Sequence, residues 1–240
     1  MEIQVNDNKV KEAKLLSICC TRKRPHKVVE LLESFDKTKS DGTEIIFYVW
    51  TGDPYLKEYK KVLKGRNVIY GDDKFFMVDA LNYISTNVYP NIPYYQNIND
   101  DHYYLIKGWD KLMLDPLDKN NGWGISYCKG IDGRSYPNAE VVSGKIVRTL
   151  GYYVYPRLRQ YSLEPYFIAV GEGIGLFFYI EGNVIDHRSV NWGYFDSDEN
   201  HKFIYSDEEV KHGQMSTIIY EQTQKNIDIN KIKEAMKHDN

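Results

Sequence analysis

The sequence predicts an α/β fold in a single domain, with a mostly parallel central sheet flanked by helices. Two observations carry this prediction: short apolar runs alternate with helix-period segments over the first hundred residues, and the connections between them are short. Strands joined in this order run parallel and are covered on both faces. We expect the domain over residues 14–205, between a polar segment at 1–13 and a helical segment at 206–240.

The first half contains four apolar runs that each predict a buried strand. They span residues 14–20, 44–50, 67–70 and 94–98. Between them, apolar residues recur at helical spacing and predict helices at 26–37, 54–63 and 75–88. Sheets of this kind bind ligands at the carboxyl ends of their strands, so the polar residues that follow these runs are the candidate functional residues.

The second half is less regular and leaves two segments open. Residues 140–150 are apolar enough for a strand or a helix, and the tyrosine-rich segment 151–164 fits neither pattern. The other predicted elements are a strand at 124–128, a turn-rich excursion at 131–138, a helix at 171–180, a short strand at 183–185 and an amphipathic helix at 208–225. We expect the polar tail after this helix to be mobile.

Composition excludes several classes of protein. Thirty-one basic and 34 acidic residues give a net charge of −3, which argues against a broad nucleic-acid footprint. A hydrophobic content of 42% with 27% charged residues excludes wholesale disorder. The N-terminus lacks the apolar stretch of a signal peptide, and no apolar run is long enough for a transmembrane helix.

The three cysteines, Cys19, Cys20 and Cys128, form neither a disulfide framework nor a zinc-binding spacing. Reduced, buried thiols are the expectation for such a set. We therefore expect a soluble protein of the cytoplasm, the host cytoplasm if the sequence is viral.

Tyrosine is unusually frequent. The chain has 21 tyrosines but only 9 phenylalanines and 4 tryptophans. A flat apolar ring with a polar hydroxyl suits sugars and nucleobases, and it suits half-buried strands equally well.

The run Asn99-Asp100-Asp101-His102 follows the fourth predicted strand. Two adjacent carboxylates repel each other unless a cation lies beside them. Oxygen ligands of this type suit Mg²⁺ or Mn²⁺. The alternative is that one of the two aspartates caps the following helix.

Three other segments place polar side chains at the same edge. The loop with Thr21, Arg22 and Arg24 follows the first strand and could bind phosphate, or could be a solvated basic turn. Asp53 lies in the turn after the second strand, where it could bind a base or ribose or serve only the turn. His187 could complete a manganese site, although a single histidine is more often structural.

The segment Gly171-Glu172-Gly173-Ile174-Gly175 does not match the dinucleotide-binding glycine pattern. The carboxylate of Glu172 in this segment precedes an apolar run, where it could face a cleft.

Six stretches share their order and spacing with one known family. They read LLSICCTRKRPHKVVELLESF, EIIFYVWTGD, DALN, YYQNINDDHYYLIKGWDKLM, VSGKIVRTLGYYVYP and IEGNVIDHRSVNWG. Through them the chain resembles, over roughly residues 14–195, a family 2-type glycosyltransferase of the GT-A fold, a Rossmann-like architecture. The resemblance implies a nucleotide-binding half at 14–102 and an acceptor half at 103–205.

The resemblance also implies roles for individual residues. Nucleotide binding falls to Thr21, Arg22, Arg24, Asp53, Asn82 and Asp100. The metal ligands are Asp101 and His187, for Mn²⁺ or Mg²⁺. The family's catalytic-base motif is not cleanly present, and Glu172 is the nearest candidate by position, with Glu164 as the second candidate. Acceptor or sugar contacts fall to Trp109, Tyr152 and Tyr153.

The implied activity is transfer of a sugar from a nucleoside diphosphate sugar, with UDP favoured, to a glycan or another hydroxyl acceptor, with inversion. The metal motif departs from the family, because it reads Asn-Asp-Asp instead of Asp-x-Asp. A sugar-phosphate nucleotidyltransferase is one alternative, although the loop CTRKRP lacks the glycines of that class. A non-catalytic carbohydrate-binding protein is another, but it leaves the clustered acids and cations unexplained.

Overall fold

The structure is a computed structural model that describes residues 2–5, 7–130, 137–188 and 197–239. Strands in this part of the chain are β1 (Glu2–Gln4), β2 (Leu15–Thr21), β3 (Thr43–Trp50), β4 (Asn67–Gly71), β5 (Tyr94–Ile98), β6 (His102–Tyr104), β7 (Ile125–Gly130), β8 (Asn138–Ser143) and β9 (Phe177–His187). They form one sheet in the order β1-β4-β3-β2-β5-β8-β7-β9-β6.

Helices cover this sheet. In chain order they are α1 (Asp7–Lys11), α2 (Pro25–Thr38), α3 (Leu56–Val62), α4 (Met77–Tyr83), α5 (Trp109–Asp118), α6 (Gly144–Leu150), α7 (Leu163–Ile174), α8 (Glu199–Ile204), α9 (Asp207–Ile219) and α10 (Lys225–His238). Two π-helical turns, Ile84–Val88 and Tyr220–Gln224, extend α4 and join α9 to α10.

The four strands predicted in the first half form the parallel part of the sheet. Strand β2 lies between β3 and β5, and β4 lies outside β3, all in parallel. Every residue of β3 is buried, as expected for a parallel strand that is covered on both faces. The carboxyl ends of these four strands therefore meet at one edge, called here the strand-end edge.

The second half turns the sheet into a mixed one. Strand β8 joins β5 antiparallel, β7 joins β8 antiparallel, and β9 runs parallel to β7. The last strand, β6, pairs antiparallel with β9 and sets His102 directly opposite His187. The predicted α/β class is confirmed, and parallel pairing joins all four predicted strands of the first half but only β7 and β9 among the described strands of the second.

Side chains of the strands alternate between two apolar clusters. Leu16 and Ile46 pack on one face under α4, α6 and α7. Leu15 and Phe47 pack on the other face under α2, α3 and α5. The sheet is thus the middle of three layers, and its ends are where polar side chains collect.

The segment at 140–150, open between strand and helix, contains both. Strand β8 ends at Ser143, whose hydroxyl oxygen accepts a hydrogen bond from Lys145 N at 3.1 Å and caps α6. Helix α6 ends at Gly151, which adopts a left-handed conformation with φ of 82°.

The helix predicted at 171–180 is wrong. Helix α7 starts earlier, at Leu163, and ends at Ile174, and strand β9 begins at Phe177. Gly175 has φ of 75° and terminates the helix. The apolar run that follows was assigned to the helix because a short apolar run fits either type of element.

Two terminal segments are more ordered than expected. The tail predicted to be mobile forms α10, whose Ile229 and Ile232 are buried. At the other end, β1 adds an antiparallel edge strand to β4, with Ile3 opposite Ile69. Of the turn predicted at 131–138, residues 131–136 lie outside the described residues. Within the described ranges, no helix combines the length and the apolar character needed to cross a membrane.

Candidate functional site

Thr21 links the loop that follows β2 to the loop that follows β5. It is the last residue of β2, and its hydroxyl donates a hydrogen bond to Asp100 Oδ2 at 2.7 Å. The Tyr59 hydroxyl lies 2.8 Å from the Thr21 hydroxyl oxygen and accepts a hydrogen bond from Arg24 N, also at 2.8 Å. Thr21 and Tyr59 are fully buried, so this network fixes the β2–α2 loop against the loop that follows β5.

The adjacent carboxylates of Asp100 and Asp101 have different partners. Asp100 faces Thr21 and the Arg24 guanidinium, whose Nη1 lies 3.4 Å from Asp100 Oδ1. Asp101 Oδ1 lies 3.3 Å from His187 Nε2, and its other oxygen lies 3.8 Å from Arg24 Nη1. Asp100 therefore contacts the basic loop after β2, whereas Asp101 is part of a cluster with imidazole side chains.

That cluster consists of Asp101, His102 and His187. One ligand atom from each lies within 4.8 Å of the others, and the two imidazole rings are 4.8 Å apart, edge to face. The antiparallel β6–β9 pairing produces this arrangement by placing the two histidines opposite each other. Nε2 of His102 is buried and has no hydrogen-bond partner among the described residues.

This donor set fits a divalent metal ion. A carboxylate oxygen with two imidazole nitrogens suits manganese, and a buried nitrogen without a partner is costly unless a ligand satisfies it. Asp101, His102 and His187 could therefore hold the ion.

Electrostatics separate the protonation states in the cluster. Burial and the charge of His187 lower the pKa of His102 to about 3, so its ring is neutral at pH 7. Burial opposes ionisation of Asp101, but the hydrogen bond and charge of His187 outweigh it and lower the pKa of Asp101. Burial raises the pKa of Asp100 to about 6, against the charge of Arg24.

Arg24 connects these acids to a third one. Its side chain is almost fully buried, and Nε and Nη2 contact the two carboxylate oxygens of Asp198 at 2.5 and 2.7 Å. The sequence offers little signal for Asp198, which lies 174 residues away in an unremarkable polar stretch.

Asp53 and Arg22 lie in the same region with different environments. The Asp53 carboxylate is buried and accepts hydrogen bonds from the backbone nitrogens of Lys23 and Tyr55, at 2.7 and 2.8 Å. It thereby ties the β2–α2 loop to the turn after β3. Arg22 is exposed in that loop. The predicted nucleotide contacts of Asp53 and Arg22 remain predictions.

Asn82 is not brought to the site. Its carboxamide oxygen accepts hydrogen bonds from Tyr153 N and Val154 N, and its nitrogen donates to Val154 O, all at 2.9 Å. These bonds hold the loop after α6 against α4. The described contacts of Asn82 are thus structural, and its predicted nucleotide contact stays a prediction.

Trp109 and Tyr153, which were predicted to contact the acceptor, both lie in the core. Trp109 is completely buried and stacks on Tyr104 with ring centroids 4.1 Å apart. Tyr153 is 1% exposed and packs against Tyr95 and Phe167. Tyr152, the third of these residues, is half-buried and donates its hydroxyl hydrogen bond to Asp228 of α10. Packing within the protein thus accounts for the positions of all three aromatic rings.

Glu172, the residue predicted as the catalytic base, has no described contact with the cluster. It is exposed near the end of α7, where its charge acts on Tyr127. Glu164 lies in the first turn of the same helix, eight residues earlier, which is roughly 12 Å along the axis. Burial raises the pKa of Glu164, and a backbone hydrogen bond and the charge of His187 oppose that shift. Of the two glutamates, Glu164 is therefore the one that interacts electrostatically with the cluster.

Three residues of this region escaped the sequence prediction. His102 stands next to Asp101 in the quoted acidic run, and strand alternation alone does not reveal that it faces His187. Glu140 is an isolated acid in sequence, and Asp198 lies in a polar, acidic stretch without a recognisable motif. Only long-range contacts bring the two residues to the strand-end edge.

No protein-family model matches the sequence, and no curated protein matches it either. Solved structures of similar architecture exist at low identity. S. aureus TarS residues 1–349 in complex with UDP-GlcNAc is 11% identical, with a TM-score of 0.61 over 94% of this chain and 72% of that chain. Glucosyl-3-phosphoglycerate synthase from Mycobacterium tuberculosis in complex with Mn²⁺, UDP and phosphoglyceric acid is 10% identical, with a TM-score of 0.60 over 90% of this chain and 84% of that chain.

These similarities establish the architecture of the chain. It has the GT-A fold of those transferases, as its motifs predicted.

Proposed function

We propose that the protein is a metal-dependent glycosyltransferase that moves a sugar from a nucleoside diphosphate sugar to a hydroxyl acceptor. One observation carries the proposal: the cluster of Asp101, His102 and His187 lies beside buried Arg24 at the strand-end edge of a GT-A fold. A metal site next to a cation in a phosphate-binding position suits a diphosphate leaving group. The acceptor class is a glycan or another hydroxyl compound.

UDP is the favoured nucleotide and Mn²⁺ or Mg²⁺ the favoured metal. The similar structures of TarS and of the M. tuberculosis synthase hold UDP-GlcNAc and, with Mn²⁺, UDP, which supports this choice. A divalent ion held by Asp101, His102 and His187 would neutralise negative charge on the departing diphosphate. Mixed carboxylate and imidazole ligands favour manganese over magnesium, which prefers oxygen.

The chain's own residues supply the remaining electrostatics. Arg24 offers a planar guanidinium for bidentate contact with phosphate oxygens. Thr21 and Asp100 hold Arg24 in place through the buried network, and exposed Arg22 lies in the same loop. Asp53, at the end of β3, is the candidate for the base or ribose.

Glu164 is the proposed base. The acceptor oxygen forms a bond to the anomeric carbon as the bond from that carbon to the diphosphate oxygen breaks, and the electron pair leaves with the diphosphate. The acceptor proton passes to the Glu164 carboxylate. Attack on the face opposite the leaving group inverts the anomeric centre.

A cytoplasmic location accompanies this proposal. Three free cysteines, two of them buried, are present, and thiols stay reduced in the cytosol. Fractionation of expressing cells would place the protein with cytosolic or with membrane markers, and recovery with membranes would contradict the location.

The test is release of UDP from a panel of UDP-sugars with Mn²⁺ present. We expect Glu164→Gln to lower kcat by roughly a hundredfold or more, the usual contribution of a general base. Glu172→Gln is the matched control, because it changes an exposed glutamate on the same helix, and it should retain wild-type turnover. Equal loss in both variants, or turnover of Glu164→Gln at the wild-type rate, would overturn the assignment of the base. Absence of turnover with every nucleotide sugar would overturn the function.

A further inference from the structure

The N-terminus of α8 presents two carboxylates to the β2–α2 loop. Asp198 forms a two-point contact with Arg24, with Nε to Oδ2 at 2.5 Å and Nη2 to Oδ1 at 2.7 Å. Glu199 Oε2 lies 2.7 Å from Lys23 Nζ. Two consecutive acids thus pair with two consecutive cations of the loop that the proposed function assigns to the diphosphate.

Every side-chain nitrogen of Arg24 faces a carboxylate of the described residues. Nε and Nη2 face Asp198, and Nη1 lies 3.4 Å from Asp100 and 3.8 Å from Asp101. A guanidinium binds carboxylate and phosphate through the same pair of parallel hydrogen bonds. The edge of Arg24 that Asp198 occupies therefore cannot bind a phosphate at the same time.

The Asp198 contact is well anchored, whereas the Glu199 contact is not. Asp198 is the N-cap of α8, and its Oδ1 accepts a hydrogen bond from His201 N at 2.8 Å. Its partner Arg24 has a side chain only 7% exposed. Glu199 is 78% exposed, and such surface pairs contribute little. The affinity of the two segments for each other thus depends chiefly on Asp198.

We propose that Asp198 is an acidic latch that occupies the diphosphate position on Arg24, and that a nucleoside diphosphate must displace it to bind. This inference rests on the proposed function and concerns the regulation of that site. A ligand that binds only after Asp198 has left Arg24 has a lower apparent affinity, because only that fraction of the chains can bind it. By linkage, bound diphosphate disfavours docking of α8 to the same extent.

A different role for Asp198 would have the opposite consequence. If Asp198 oriented Arg24 for the ligand, its removal would weaken nucleotide binding. The sign of the change in affinity therefore distinguishes a latch from a positioning residue.

Asp198→Asn is the decisive variant because asparagine also caps helices well, so the change removes the charge and keeps the cap. Calorimetric titration with UDP and, separately, with pyrophosphate, each with Mn²⁺, should give a Kd lowered by about tenfold relative to wild type, as expected for loss of about 1.4 kcal/mol of competing interaction. Glu199→Gln is the matched control and should change Kd by less than about twofold, because its ion pair is exposed.

Hydrogen exchange provides a second measurement on the wild-type chain. Addition of UDP with Mn²⁺ should accelerate exchange of the amides in α8, since diphosphate releases its N-terminus. An unchanged or raised Kd in Asp198→Asn, or slower exchange in α8, would overturn the latch.

The outcomes also separate this inference from the proposed function. A wild-type chain that binds and turns over UDP-sugars while Asp198→Asn behaves identically contradicts the latch alone. Tighter binding of pyrophosphate by Asp198→Asn without turnover of any nucleotide sugar supports the latch and contradicts the transferase. Absence of binding by both chains contradicts both.

Discussion

Glu140 carries a carboxylate into the interior beneath the site. Glu140 is 3% exposed, and its Oε1 has no hydrogen-bond partner in the described part of the chain. Burial, reinforced by the charge of Glu164, raises the pKa of Glu140 to about 8. A buried carboxylate with an unpartnered oxygen favours its neutral form, so ionisation of Glu140 weakens the folded state.

The pH dependence of this effect has a definite sign. Below the ordinary pKa of 4.5, Glu140 is protonated in both the folded and the unfolded chain. As the pH rises from 4.5 towards 8, the unfolded chain releases the proton and the folded chain retains it, so stability falls. We expect Glu140→Gln, which cannot ionise, to raise Tm at pH 8 by a few degrees, since about 1 kcal/mol shifts Tm by roughly 2–4 °C in a domain of this size.

Differential scanning calorimetry of both chains at pH 5 and pH 8 checks this. The gain in Tm should be larger at pH 8 than at pH 5. The same Tm difference at both values would show that Glu140 does not titrate between them.

Local sequence predicts some site residues and misses others for a physical reason. Asp100 and Asp101 follow a buried strand directly, so their position at the strand-end edge depends only on the first half of the chain. His187 was found through its resemblance to a family motif. Asp198 needs a contact across 174 residues, which no local pattern encodes. The frequency of tyrosine does not locate a sugar-binding site, because a ring that suits a sugar also suits a core.

At the scale of elements, the glycine-rich segment of α7 has a packing explanation. A Cβ on Gly171 would lie 2.3 Å from the Phe177 ring, and one on Gly173 would lie 2.2 Å from Ile229. Gly175 ends the helix in a left-handed conformation. These glycines allow β9 and α10 to approach α7, so the segment is structural, in agreement with rejection of a dinucleotide-binding loop.

The junction between β8 and α6 depends on another glycine. A Cβ on Gly144 would lie 2.1 Å from the Ile92 carbonyl oxygen and 2.9 Å from that of Pro93, and backbone oxygens cannot rotate away. We expect Gly144→Ala to destabilise the fold by about 1–3 kcal/mol, as overpacking does, in spite of the better helix propensity of alanine.

Urea denaturation of Gly144→Ala measures this, with Lys111→Ala as the control. Lys111 is exposed in α5, and surface changes of this kind stay within about 0.5 kcal/mol. A Gly144→Ala chain as stable as wild type would refute the proposed close approach.

Sequence patterns predicted elements well where neighbours along the chain pack together. The helices and strands from Leu15 to Ile98 were placed to within a few residues, because each buries one continuous apolar face. The segment 171–180 was assigned wrongly, since the switch from α7 to β9 depends on Gly175 and on pairing with β7. The mixed pairing of the second half likewise arises from contacts distant in sequence.

At the scale of the whole molecule, the sheet is what assembles the site. The parallel half brings Thr21 and Asp100 to one edge, and the β6–β9 ribbon returns His102 and His187 to the same edge. The metal cluster and the cationic loop become neighbours only through this topology. This arrangement requires that metal and nucleotide bind together, with each raising the affinity of the other.

Calorimetric titration of UDP with and without Mn²⁺ tests this requirement most directly. The wild-type chain should bind UDP at least tenfold more tightly with Mn²⁺, and Asp101→Asn should lose that gain. Asp115→Asn, which changes an exposed aspartate paired with Lys119, should keep it. UDP affinity that is indifferent to Mn²⁺, or a gain that survives in Asp101→Asn, would contradict the account.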